Sequence, residues 1–252
     1  MDLDLAGKVA LVTGSGRDVG REIALAFAAE GATVAVNYSR SADAATAVVE
    51  EIARGGGTAK AYRADIADLE AVRAMTEAIV ADFGRIDVLV NNAGFVVPQR
   101  FLDTGPEDWK RQIDVGLYGV IHCCSTVGAH MVERGGGRIV NLAGDSARVG
   151  EKFLSVTTSA RGGVLSLTKS LAREFGPSGV TVNAVALGYV ETAHTDRDWL
   201  EKNREKIVRQ YPMRRIGRPE DVAPAIVFLA SGGAGWITGQ VLSISGGYSM
   251  VG

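Results

Sequence analysis

The sequence predicts a doubly wound α/β domain, a parallel sheet of about seven strands with helices on both faces. Three observations point to it. Short apolar, β-branched runs alternate along the chain with longer stretches whose apolar residues recur at helical spacing. The first run, Lys8-Val-Ala-Leu-Val-Thr13, leads into a glycine-rich loop from Gly14 to Gly20, an amphipathic helix and a second strand. In such a unit glycine spacing indicates a phosphate-binding turn. At 252 residues, 46% hydrophobic and 22% charged, the chain has the size of one globular domain, so residues 1–252 read as a single unit.

In chain order, residues 8–13 form the first strand, 21–31 the first helix and 33–37 the second strand. A further buried run, Val88-Leu-Val, ends in Asn91-Asn-Ala-Gly94. Residues 108–134 read as one long helix, with Ile113, Leu117, Val120, Cys124, Val127 and Met131 stepping by four and three. Val115, Tyr118 and Ile121 widen that stripe beyond what covering one sheet face requires, which hints at subunit contact. His122 has no partner motif and reads as a packed or surface histidine. The adjacent Cys123 and Cys124 suit neither a disulfide framework nor a zinc site and read as small buried side chains.

The stretch around which the rest is organised runs from Gly137 to Gly176. Arg138-Ile-Val-Asn-Leu142 has the look of a buried parallel strand and is followed by a small, polar loop over residues 143–150. From about Ser155 the period becomes helical: Val164, Leu167, Leu171 and Phe175 share a stripe opposite Ser166, Lys169, Ser170 and Arg173. Thr157 and Arg161, one turn apart, fall on the inward side. A loop at the carboxyl end of a parallel strand is where α/β proteins place ligands. Residues 181–186 form the next strand.

Gly137-Arg-Ile-Val-Asn, Leu165-Ser-Leu-Thr-Lys-Ser-Leu-Ala-Arg-Glu and Gly179-Val-Thr-Val-Asn-Ala-Val resemble the short-chain dehydrogenase/reductase family. They are most like its acyl-carrier-protein ketoreductases and hydroxyacyl-CoA dehydrogenases, and the resemblance covers nearly the whole chain. It implies a Ser, a Tyr-x-x-x-Lys pair and an Asn as reacting groups. The matching positions are Gly144, Thr157, Arg161 and Gly116, the last within Trp109-Lys-Arg-Gln-Ile-Asp-Val-Gly116-Leu-Tyr-Gly, so all four are replaced. Arg214-Arg-Ile-Gly-Arg-Pro-Glu-Asp-Val222 and Ile237-Thr-Gly-Gln-Val-Leu-Ser-Ile-Ser-Gly-Gly247 match closely and imply the last helix, the last strand and a tetramer surface.

The resemblance also implies a dinucleotide cleft. Its positions here are Gly14, Arg17, Asp18 and Val19 in the loop, Arg40 after the second strand, Asp65 and Ile66 beside the adenine, Asn92-Ala-Gly94 on the floor, and Gly188 and Thr192 near the nicotinamide. Asp18 replaces a glycine of the family's Thr-Gly-x-x-x-Gly-x-Gly. It is expected to act as a helix N-cap worth ~1 kcal/mol. It is also expected to repel a diphosphate by up to ~4 kcal/mol per charge pair. With no acid after the second strand and with Arg40 there, residual preference is expected for NADP over NAD, with weak or absent binding. Leu187 stands where the family has proline and is expected to loosen the turn before Gly188. Residues 189–211 resemble a mobile substrate lid.

Three functions compete. The first is a non-catalytic subunit partnering an intact paralogue in a heterotetramer that acts on a hydroxyacyl or oxoacyl thioester, with a homotetramer as the other assembly. A second is an active oxidoreductase with a site rebuilt around Asp145, Ser146 or His194, although Ser146 is expected to lie too far along the loop to replace a hydroxyl at Gly144. The third is a non-redox small-molecule-binding scaffold. A net charge of −2 argues against nucleic acid as partner, and no apolar run reaches the ~20 residues of a membrane helix. Met1-Asp-Leu-Asp-Leu is acidic and too short for a signal peptide, so the expected location is cytoplasmic.

Overall fold

The computed structural model describes residues 3–193 and 195–251. Seven parallel strands form one sheet in the order β3-β2-β1-β4-β5-β6-β7. They are β1 (Val9–Val12), β2 (Thr33–Tyr38), β3 (Ala59–Arg63), β4 (Val88–Asn91), β5 (Gly137–Gly144), β6 (Val180–Leu187) and β7 (Val241–Ile244). The helices are α1 (Asp18–Ala29), α2 (Ala42–Arg54), α3 (Leu69–Phe83), α4 (Pro106–Ile113), α5 (Gly119–Arg134), α6 (Ser146–Val149), α7 (Ser155–Phe175), α8 (Arg197–Val208) and α9 (Pro219–Ala230).

Strand alternation divides the interior into two cores. Ala10 and Val12 of β1 pack with Ile23 and Phe27 of α1, Val48 of α2 and Ile226 of α9. Val9 and Leu11 face the other way, onto Ile79 of α3, Val127 of α5 and Val164 of α7. Both faces of the central strands are therefore covered, which is why they read as continuous apolar runs rather than alternating ones. The order reverses between β1 and β4, so the carboxyl ends of β1, β4 and β5 open on one crevice.

Four local expectations are corrected. The first helix begins at Asp18 rather than at residue 21, because Arg17 is already extended (φ −162°, ψ 170°) and serves as its N-cap. The long helix runs from Pro106 to Arg134 but contains a π turn, Asp114–Tyr118, between α4 and α5. Gly116 lies in that turn facing α7, where a β-carbon would come within 3.2 Å of Ala160 Cβ, so the absent side chain lets the widened turn rest on α7. By length and composition this helix could cross a membrane, contrary to the sequence expectation, yet half of its apolar window is buried, as in the core helix of a globular domain. The sheet runs as far as Leu187, which pairs with Gly144 of β5 and Ile244 of β7. Finally, the buried line of α7 is Thr157, Ala160, Val164, Thr168 and Ala172, with Leu167, Leu171 and Phe175 half-buried beside it. The centre shifts because Thr168 accepts a 2.9 Å bond from Asn141 within a buried Asn91–Asn141–Thr168 chain linking β4, β5 and α7.

Candidate functional site

The glycine loop crosses the carboxyl end of β1 and is braced from β4. Asn92 Nδ2 donates to the carbonyls of Thr13 (2.9 Å) and Gly14 (3.1 Å), and the Asn92 and Ala93 amides both donate to Thr13 Oγ1 at 3.0 Å. Gly14 has φ +62°, and its missing β-carbon would lie 3.0 Å from Ala93 Cα, so both conformation and space require glycine. Asn37 at the end of β2 takes the Gly14 amide with Oδ1 (3.1 Å) and the Ser15 amide with its carbonyl (3.0 Å). Half of the loop architecture is therefore a matter of bracing, independent of any ligand.

Asp18 does not behave as expected. It adopts φ +50°, a conformation natural to the glycine it replaces and costly to other residues, though Asp bears it better than most. No side chain caps α1. The Asp18 carboxylate instead accepts a 2.9 Å bond from the Ala193 amide, joining the glycine loop to the segment after β6, and lies 3.8 Å from Arg17 Nε. The N-cap expectation fails because positive φ turns the side chain away from the amides of its own first turn. Val19, the next residue, is buried in the core.

The other cleft positions are distributed as follows. Arg40 is exposed past β2. Asp65 accepts from Arg111 (3.1 Å) and from the Ala67 amide (3.1 Å), while the Ile66 side chain is buried and packs under Gly119. Gly188 passes so close to Ser245 that a β-carbon would lie 2.9 Å from its Cα. Thr192 forms a tight turn with Thr195, whose hydroxyl accepts from the Thr192 amide at 3.0 Å. His194 lies outside the described residues.

Gly116, Thr157 and Arg161 gather where α7 meets the π turn and β5, and Gly144 ends β5. Thr157 is buried and its hydroxyl donates to Gln112 Oε1 at 2.7 Å, while Gln112 Nε2 donates to the Asp108 carbonyl at 3.1 Å. Gln112, one helical turn before Gly116, was not singled out from the sequence; only its polarity within the inward stripe of α4 could have marked it. Arg161 is half-buried, donates from Nη1 to the Leu142 carbonyl at 2.5 Å, and lays Nη2 over the bare Cα of Gly94. Burial lowers its basicity below that of an ordinary guanidinium. A β-carbon at Gly144 would lie 3.2 Å from Ser146 Oγ, which turns back towards it, and 3.8 Å from the Leu187 carbonyl oxygen. Ser146 is thus not too far away, because the chain coils into α6 immediately after β5.

Asp145 faces elsewhere. Fully buried, it accepts from Ser243 Oγ of β7 at 2.7 Å, and Ser243 in turn accepts from Arg148 at 2.8 Å. This ties the loop to the last strand, while the second carboxylate oxygen, Oδ2, is buried without a hydrogen-bond partner among the described residues. His122 bonds through Nδ1 to the Ile66 carbonyl (2.9 Å) and stacks on Tyr118, a packing role. Cys123 and Cys124 are buried free thiols, and burial pushes Cys124 up to about 12. Among the described residues no cluster could hold a metal.

A dinucleotide fits this cleft only in part. The glycine turn and the start of α1 provide the frame on which a diphosphate rests. At that helix start, however, stands the Asp18 carboxylate, and on the floor a guanidinium rather than an ammonium covers Gly94. Of Gly116, Gly144, Thr157 and Arg161 only Arg161 carries an ionisable side chain, and a guanidinium stays protonated near neutral pH.

A family model described as enoyl-(acyl carrier protein) reductase matches residues 14–249. The chain is 41% identical over 243 residues to the 3-oxoacyl-acyl-carrier-protein reductase FabG of Staphylococcus aureus, covering 96% of this chain and 98% of that one. It is 38% identical over 248 residues to the hydroxy(phenyl)methyl-succinyl-CoA dehydrogenase subunit BbsD of Thauera aromatica, covering 98% and 99%. A short-chain alcohol dehydrogenase structure from Sinorhizobium meliloti superposes with a TM-score of 0.94 at 34% identity, covering 98% of each chain.

Proposed function

The chain belongs to the short-chain dehydrogenase/reductase family, and from that premise we propose that it is a non-catalytic subunit of a mixed tetramer in the cytoplasm. Its partner is a paralogue with intact Ser, Tyr and Lys that binds NADP(H) or NAD(H) and acts on a hydroxyacyl or oxoacyl thioester. The observation carrying this reading is the Thr157–Gln112 pair. Where the family's proton donor stands, a buried aliphatic hydroxyl spends its proton on an internal amide. A Thr hydroxyl is far less acidic than a phenol of pKa ≈ 10, and neither Gly116, Gly144 nor Arg161 supplies another proton relay. By the same reading this chain binds dinucleotide weakly or not at all.

Two further features support an assembly. One of the relatives is named as the subunit of a dehydrogenase for an acyl-CoA. The edge strand β7 and its surroundings leave Trp236, Leu242, Met250 and Val251 exposed, an apolar edge that calls for cover. A paralogue of the same fold suits such a face, since two-fold interfaces are self-complementary.

Co-expression with the nearest intact paralogue, followed by mass in solution and reductase assays of each chain alone and together, tests the proposal. The expected result is a mixed tetramer whose turnover comes from the partner. A stable monomer, or turnover by this chain freed of any homologue, refutes it. The position of Ser146 Oγ favours one second reading, a rebuilt oxidoreductase site using that hydroxyl; turnover by the isolated chain that Ser146→Ala abolishes would establish it.

A further inference from the structure

The segment after β6 has a fixed neck and a loosely packed body. At the neck the Tyr189 amide donates to Tyr211 Oη at 2.9 Å, the Glu191 amide to the Gly217 carbonyl at 2.9 Å, and the Gly217 amide to the Tyr189 carbonyl at 3.0 Å. Beyond it, among the described residues of α8 only Leu200 is buried. Trp199 stacks on Tyr189 and Arg204 pairs with Glu191 at 3.6 Å, contacts made within the same segment. A cavity of about 490 Å³ opens between α8 and residues 214–218, so the helix does not pack flush against that strip. A part of a fold with few buried apolar contacts opens locally well before the whole unfolds.

A bond from the other half of the chain fastens this flap. The Asp18 carboxylate accepts from the Ala193 amide, 175 residues further on, at 2.9 Å. It does so from φ +50°, a conformation that is costly to a residue with a side chain and persists where its surroundings hold it. Asp18 is the first residue of α1, where the aligned helix amides favour negative charge and where a diphosphate would rest. The chain thus supplies an anion of its own at that place and gives it a donor from the flap. A charge-assisted bond is roughly twice as strong as a neutral one, and this side chain is only 18% exposed.

We propose that Asp18 is a latch, holding the flap of residues 189–193 and 195–211 closed on the glycine loop. A flap closed by the chain's own carboxylate needs no nucleotide to close it, and an entering diphosphate must displace that carboxylate. The inference goes beyond the subunit reading and does not rest on it, since the same latch would gate an active chain as well as an inactive one.

Hydrogen–deuterium exchange of the purified chain tests it, read in peptides spanning α8, with α3 as the control for global stability. A helix of 12 residues is marginal once undocked, so its amides report opening of the flap. Asp18→Gly suits the positive φ and removes the acceptor. Ala193→Pro removes the donor: Ala193 holds the second place of a turn closed by the Thr195 amide on the Thr192 carbonyl (3.1 Å), where proline is favoured. Each substitution should speed exchange in α8 roughly tenfold. Both act on one bond, so the double variant should go no further, while α3 changes by no more than about two- to threefold. Asp18→Asn, which keeps an acceptor without the charge, should give a smaller rise than Asp18→Gly. The proposal is overturned if α8 in Asp18→Gly exchanges within twofold of the unaltered chain, or if α3 shares the rise equally. A response to only one of the two substitutions, or effects that multiply in the double variant, overturns it too. Should Ala193→Pro fail to fold, Asp18→Asn against Asp18→Gly carries the test, and equal rises overturn it. No partner or turnover enters the measurement, so its failure leaves the subunit reading standing, and failure of that reading leaves the latch standing.

Discussion

Replacing Asp18 by Gly should tighten dinucleotide binding while barely changing stability. Two stability effects oppose one another. Glycine relieves the φ +50° backbone, worth about 1 kcal/mol. It also removes the charge-assisted bond to the Ala193 amide, worth about 1.5–3 kcal/mol when well shielded. The Asp18 side chain is 18% exposed, which argues for the lower end, so the net loss should be about 0.5 kcal/mol and the melting temperature should fall by about 1–2 °C. The effect on affinity is larger. A carboxylate about 4 Å from a phosphate charge costs about 1 kcal/mol in water and about 4 kcal/mol at the effective dielectric of a protein surface. Taking about 2–3 kcal/mol for this largely shielded carboxylate, Kd should fall roughly thirty- to 150-fold. Asp18→Asn separates the causes, since it tolerates the same backbone and keeps an acceptor for Ala193 but carries no charge. Calorimetric titration of the isolated chain with NADPH and NADH, repeated at high salt where the gain should shrink, is the assay. Low-micromolar affinity in the unaltered chain, or Kd values for both variants within twofold of it, would refute the electrostatic argument.

Gln112→Leu should leave the buried Thr157 hydroxyl without its acceptor, destabilising the chain by about 1–3 kcal/mol; Thr157→Val in the same background should recover most of the loss, and denaturant unfolding of the three variants checks it. His130 gives a pH dependence. Its Nε2 accepts from the Ile86 amide at 3.3 Å, and burial, reinforced by Arg134, holds its pKa below the ordinary 6.5. A depressed histidine pKa means that the unfolded chain binds the proton more readily. This contribution is therefore complete above about pH 6.5 and is lost as the pH falls below that value towards the folded pKa, at a slope of at most about 1.4 kcal/mol per pH unit. In His130→Gln the difference in stability between pH 7.5 and 5 should be smaller than in the unaltered chain, and melting curves at both values decide it.

Much of the frame was legible in the sequence because it rests on local periodicity. Val9 to Val12 must be apolar throughout when the two faces of β1 meet different cores, and the glycine turn between β1 and α1 follows from backbone conformation at Gly14. The site was legible as positions but not as contacts. Gln112 and Thr157 are 45 residues apart, and only the packing of α4 on α7 makes them partners. The π turn changes the register of every side chain across Asp114–Tyr118, which a 3.6-residue period cannot foresee. Spacing along the chain also overstated the distance from Gly144 to Ser146, since α6 folds the hydroxyl back.

These contacts bear on how the cleft floor stays packed. A protein interior is close-packed, and a cavity left by a truncated side chain costs stability in proportion to its volume. At three of the positions Gly116, Gly144, Thr157 and Arg161 a neighbour comes close: Gln112 at Thr157, Ala160 at Gly116, and Ser146 at Gly144. At the fourth, Arg161 reaches both the Leu142 carbonyl and the bare backbone of Gly94. Packing and hydrogen bonding on this floor are thus supplied by the residues present. Maintenance of that shape is what a subunit needs if its task is to present a folded surface to a partner.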